Sequence, residues 1–232
     1  MRFLLVVLLL PLTALADTLI CFGDSQTAVR PPVQLADTFC AKMAGARTPV
    51  NKGVGGDSTV DALARLNGDV LTQSGSCVTV MFGAGDSEIS YSGSYSYTGW
   101  WTGPQTSEVS VASFTANLTS IVQQILKAGK QVTLLTPWTN FNTANLNQGR
   151  FYSDAVKGVG AALGVPVLDA GDILRQLWTN SYEWLNRNGV VHPNAPTLGS
   201  LMADDLHPSV VGHTHIANLC SKPQNVAACA CN

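Results

Sequence analysis

The sequence has no cluster of lysine or arginine. Its 13 basic and 15 acidic residues leave a formal net charge of -2, which argues against a nucleic acid or an anionic membrane as partner and points to an uncharged or mildly charged ligand. It has no Cys-x-x-Cys and no histidine pair at ligand spacing, so neither a metal site nor a cofactor is expected. No internal repeat and no linker divides the chain. The apolar run at residues 3–10 falls short of the roughly 20 residues needed to cross a bilayer, so stable membrane insertion is not expected.

That run has another use. Arg2, the apolar stretch and the small-residue ending Ala14-Leu15-Ala16 have the form of a secretory signal over residues 1–16. The expectation is a secreted, monomeric protein whose residues 17–232 make one domain. All six cysteines, Cys21, Cys40, Cys77, Cys220, Cys229 and Cys231, lie in that part, and an even count in an exported chain reads as disulfides. Three are in the body and three in the tail, so complete pairing needs at least one bond between the two. Cys229 and Cys231 are too close for an unstrained mutual bond. Cys220 is therefore expected to take one of them and the body the other. The sequon at Asn117 marks a candidate glycan site.

Short apolar runs at 18–22, 48–51, 77–82, 131–136 and 165–169 alternate with helix-compatible stretches at 33–44, 59–66, 111–127, 148–163 and 208–219. This pattern predicts an α/β fold: a parallel central sheet covered on both faces, an α/β/α sandwich. Ligands of such sheets gather beyond the carboxyl ends of the strands. Ser25 of "CFGDSQT", Gly55-Gly56-Asp57 and the stretch 83–87 all fall at such ends. Residues 87–108 form a long connection rich in Ser, Gly, Tyr and Trp. Its Tyr91, Tyr95, Tyr97, Trp100 and Trp101 either pack the loop or form a wall for a sugar or acyl chain, with Tyr95, Trp100 and Trp101 the substrate-binding candidates.

A serine hydroxyl becomes a nucleophile only beside a base, and the base needs an orienting group. Of the four histidines, His207 has Asp204 three residues before it. On a turn, that spacing lets the carboxylate accept from Nδ1–H and leaves Nε2 to face a serine. His192 lacks such an aspartate and reads as a loop residue. His213 and His215 read as surface or packing residues of the last helix. Asp57 and Asp86 suit caps and turns better than catalysis, and Asp205 reads as a solvated neighbour.

"GDS", "NKGVGGDST", "FGAGD" and "DDLHPS", in that order and spanning nearly the whole exported chain, resemble blocks I, II, III and V of the SGNH or GDSL hydrolases. The resemblance implies a flavodoxin-like three-layer sandwich and a metal-free esterase, lipase or carbohydrate O-deacetylase. Carried over by position, Ser25 is the nucleophile, His207 the general base and Asp204 its orienter. The N–H groups of Ser25 and Gly56 form the oxyanion hole. The pattern departs in block III, where Gly85 stands in place of the family's asparagine. Removing one oxyanion donor typically costs about 2.7 to 4 kcal/mol, so either Ser87, Asn140 or Asn142 replaces it or the backbone donors suffice, with Gly85 itself a further candidate. The expected substrate is an O-acetylated carbohydrate or another ester. The alternatives are a lipase or short-chain acyl esterase, and a catalytically weak glycan-binding module.

Overall fold

Five apolar runs pair side by side as one parallel sheet in the order β2-β1-β3-β4-β5. They are β1 Thr18–Gly23, β2 Thr48–Gly53, β3 Cys77–Met81, β4 Gln131–Leu135 and β5 Val167–Leu168. The computed structural model describes residues 17–87, 109–138, 146–174, 176, 177, 201, 203, 207–222, 225 and 229, the side chains of 146–149 aside. Residues 1–16, the loop aromatics, Asn140, Asn142, His192, Asp204, Asp205 and Cys231 lie outside this set.

β1 is buried from Leu19 onward and β3 throughout. Such runs carry no polar face because helices cover both sides. Ile20, Phe22, Val78, Val80, Val132 and Leu134 point to one side. There they meet α2 Thr59–Leu66, α3 Val111–Lys127 and α4 Leu146–Leu163. α3 buries Phe114, Leu118, Ile121, Val122 and Ile125, the three-to-four spacing of one helical stripe. Leu19, Cys21, Cys77, Met81, Leu135 and Leu168 point to the other side. That layer is built on α1 Phe39–Ala44 and α5 Val210–Ala217. The result is the expected three-layer α/β/α arrangement, and with sheet order 2-1-3-4-5 it is flavodoxin-like.

Two helices differ from their expected limits for local reasons. The run 33–44 is not one helix, because Thr38 stays extended at φ -68° and ψ 154°. Its Oγ1 donates to Leu35 O at 2.7 Å and accepts from Ala41 N–H at 3.3 Å, closing a 3-10 turn at Leu35–Asp37 and capping α1. α2 does not stop at Leu66 but continues as a π turn over Asn67–Leu71. Thr72 holds that turn by donating both N–H, at 3.1 Å, and Oγ1–H, at 3.0 Å, to Asn67 O.

Cys21–Cys40 ties β1 to α1 and Cys220–Cys229 closes the tail on itself. Cys77 is disulfide-bonded as well. Arg47 also links body and tail, donating to Cys229 O at 3.2 Å and lying 3.7 Å from Cys77 Sγ. The glycan expectation at Asn117 meets an obstacle. Asn117 lies within α3, and its Nδ2 donates to the buried Thr59 Oγ1 at 3.2 Å.

Candidate active site

β1 ends at Gly23, and the chain turns at once into a single helical turn. Asp24 O accepts from the N–H groups of Thr27 and Ala28, each at 3.1 Å. Ser25 is therefore the first residue of that turn, where a backbone N–H has no partner within the helix. Among the described residues its N–H donates to nothing. The Asp24 carboxyl is buried beneath the turn and accepts from Gln26 N–H at 2.9 Å and Ala84 N–H at 3.2 Å. Burial pushes it up to about 7 against the pull of those donors. Asp24 thus locks the turn to the segment after β3.

His207 Nε2 lies 3.0 Å from Ser25 Oγ, and both residues are more than nine-tenths buried. The segment carrying His207 is pinned by two backbone bonds. Ala203 N–H donates to His207 O at 2.8 Å, and Ser209 N–H donates to Leu201 O at 2.9 Å. Ser209 then caps α5, its Oγ accepting from Val211 and Gly212 N–H at 3.1 and 3.2 Å. Asp204 lies outside the described residues. A hydroxyl within hydrogen-bond reach of an imidazole is the arrangement for proton removal by a general base.

The turn after β2 brings Gly56, at φ 82°, a left-handed conformation that favours glycine. Its N–H also donates to nothing among the described residues. Gly85, the further oxyanion candidate from the sequence, packs against this turn. A Cβ on Gly85 would lie 2.3 Å from Asp57 O and 3.4 Å from Gly56 O. The space that a block III side chain would occupy is filled by the backbone of the Gly56 turn. Ser87, one of the replacement donors considered, gives its hydroxyl to Ala84 O at 2.9 Å.

Asp86 takes the structural part foreseen for it. Its Oδ1 accepts from Thr59 N–H at 2.9 Å and Thr59 Oγ1–H at 2.6 Å at the start of α2. Oδ2 is buried with no partner, and burial pushes the carboxyl up to about 6. Asp57 is paired with Arg65.

Four residues close to the reacting pair were not read as site residues from the sequence. Gln26 clamps the chain after β4, its Nε2 donating to Trp138 O and its Oε1 accepting from Trp138 N–H at 3.0 Å. Arg65, on α2, donates to Gly23 O at 2.8 Å, Lys52 O at 2.9 Å, Asp69 at 2.8 Å and Asp57. Its guanidinium lies 4.5 Å from the Phe22 ring centroid. Arg30 and His213 line the cavity onto which Ser25 and His207 open. His213 is 2% exposed, so the packing expectation holds for it while missing the cavity it faces. The arginine in "ALARL" was the one available signal, a basic residue on the apolar side of a helix.

Comparison with known proteins agrees with this fold. A model of the GDSL-like lipase/acylhydrolase family matches residues 21–215. Among solved structures, a lipase/acylhydrolase from Enterococcus faecalis is similar at 25% identity and TM-score 0.62, covering 88% of this chain and 92% of that one. An acetylxylan esterase from Geobacillus stearothermophilus matches at 21% identity and TM-score 0.64, covering 88% and 91%. An α/β hydrolase from the metagenome of Lake Arreo, Spain, matches at 20% identity and TM-score 0.63, covering 94% and 97%. A search of curated proteins gives no match.

Proposed function

The chain belongs to the GDSL-like lipase/acylhydrolase family, and on that premise we propose that it is a secreted serine esterase that removes O-acetyl groups from carbohydrate. The observation that carries the proposal is the 3.0 Å approach of His207 Nε2 to Ser25 Oγ. Ser25 Oγ attacks the ester carbonyl carbon as His207 Nε2 takes its proton. The oxyanion is met by the N–H groups of Ser25 and Gly56, both free of acceptors among the described residues. As the tetrahedral species collapses, the carbon–oxygen bond to the alcohol breaks and His207 returns the proton to the alcohol oxygen. Water then attacks the acyl-enzyme, again losing its proton to His207, and releases the acid and free Ser25. Asp204, three residues before His207, orients the imidazole.

Carbohydrate O-acetyl is favoured by the fold's likeness to an acetylxylan esterase. Secretion is supported by the disulfides Cys21–Cys40 and Cys220–Cys229, since such bonds persist in oxidising compartments. No helix among the described residues is long and apolar enough to cross a membrane. Tyr95, Trp100 and Trp101 are the proposed substrate wall, and a single domain acting as a monomer is the proposed assembly. Turnover of 4-nitrophenyl acetate and of O-acetylated xylan, with labelling of Ser25 by a fluorophosphonate, tests the reading. Glycan binding without turnover or labelling would replace it with the non-catalytic alternative.

A further inference from the structure

The cavity beside Ser25 and His207 has a particular chemistry. Its walls carry Arg30, Pro31 and Val33 from the chain after β1, and Pro208 and His213 from the approach to α5 and α5 itself. No carboxylate of the described residues lines it. Arg30 is partly exposed and makes no ion pair or hydrogen bond with any described residue. An arginine with no ion pair among the described residues, at the mouth of a reacting centre, offers a planar fork of donors to whatever enters.

His213 supplies another donor, and its tautomer is fixed. Phe39 N–H, the first amide of α1, donates to His213 Nδ1 at 3.3 Å. The two rings stack with centroids 5.8 Å apart. Burial, reinforced by the charge of Lys42, pushes His213 down to about 4, so the ring is neutral above pH 5 and its one proton sits on Nε2. No described residue accepts from Nε2. His213 itself lines the cavity.

The mechanism assigns the half of the ester that this cavity receives. His207 Nε2 must return its proton to the departing alcohol, so the alcohol lies against His207. The cavity is bounded by His207 and its chain neighbour Pro208, which makes it the alcohol side. Resting on the esterase reading, we infer that the alcohol carries a carboxylate beside the scissile ester, as in an O-acetylated uronic acid unit, held by the Arg30 guanidinium and by His213 Nε2–H. Pro31 and Val33 offer an apolar face to the sugar ring, and the guanidinium fork matches a carboxylate with two parallel hydrogen bonds.

The test compares a mono-O-acetylated methyl hexuronoside with the matching acetylated methyl hexoside as substrates of the full chain. The wild type is expected to prefer the uronoside by about tenfold or more in kcat/KM, the range of one charge-assisted hydrogen-bonded contact. Most of the difference should lie in KM and should shrink as ionic strength rises. Arg30→Gln should bring the ratio close to one, and Arg30→Lys should keep part of it. Equal kcat/KM on the two esters by the wild type, or an unchanged ratio in Arg30→Gln, overturns the inference. Failure to hydrolyse either ester would instead count against the esterase reading.

Discussion

Arg65 Nη2 donates to the carbonyl of Gly23 at 2.8 Å, two residues before Ser25, while its Nε is paired with Asp57, the residue after Gly56. One side chain on α2 thus spaces the two strand ends that carry the proposed oxyanion donors. Arg65→Lys keeps the charge over Phe22 but cannot reach four acceptors with one ammonium. It is expected to lower kcat by about ten- to a hundredfold, since small misplacements of reacting groups cost that much, with KM changed little. The far-ultraviolet circular dichroism should be retained. A folded Arg65→Lys variant with wild-type kcat would remove Arg65 from this positioning role.

At Gly85 the family resemblance and the structure point in opposite directions. Restoring the asparagine would supply a donor, but its Cβ would lie 2.3 Å from Asp57 O. Relief requires moving the turn that holds Gly56, an overpacking cost of typically about 1 to 3 kcal/mol. Gly85→Asn is therefore expected to lower both kcat and the melting temperature, and Gly85→Ala to do so as well. An increase of kcat in Gly85→Asn would show that the turn yields and that the missing donor had limited turnover.

Asp86 gives a pH dependence of definite sign. Its carboxyl is raised from 3.8 to about 6 by burial, so between these values the native state holds a proton that the unfolded chain has released. Stability therefore falls as pH rises through that window and levels off above it, by about 2 to 3 kcal/mol in all. Asp24, raised to about 7, acts in the same sense. His213, lowered from 6.5 to about 4, acts in the opposite sense, its contribution being lost as pH falls through that interval. Comparing Asp86→Asn with the wild type isolates the first effect. The variant should gain relative stability from pH 4 to pH 6 in urea titrations, and a pH-independent difference would contradict the assignment.

The cysteines make a covalent prediction. Cys21–Cys40 and Cys220–Cys229 leave Cys77, itself disulfide-bonded, with Cys231 as the remaining partner for complete pairing. Non-reducing peptide mapping should recover the peptide of Cys77 joined to that of Cys231. Cys77→Ala should lose about 2 to 5 kcal/mol of stability, as expected for a bond closing a long loop. A Cys77 peptide that alkylates without reduction would refute the pairing.

What could be read in advance followed from local signals. The apolar strand runs needed only their own periodicity, so the sheet and its covered faces were legible, as was the position of Ser25 and Gly56 at strand ends. α3 was legible to the residue, because Ser110 caps it and its apolar stripe is regular. The start of α1 was hidden in the hydroxyl of Thr38, which serves a cap as readily as a helix interior. Arg65 and His213 were not legible as site residues. Their partners, Gly23 for one and Phe39 for the other, are 42 and 174 positions away in the chain, and only the packed layers bring them together.

The most direct measurement is the rate of Ser25 labelling by a fluorophosphonate, followed by mass spectrometry alongside 4-nitrophenyl acetate turnover in the wild type, Ser25→Ala and His207→Ala. The account predicts a single adduct on Ser25 in the wild type. Ser25→Ala should take up no label, and His207→Ala should label far more slowly. The two variants should lose turnover to a similar degree, as members of one nucleophile–base unit do. Labelling at another serine, or turnover in folded His207→Ala equal to the wild type, would contradict it.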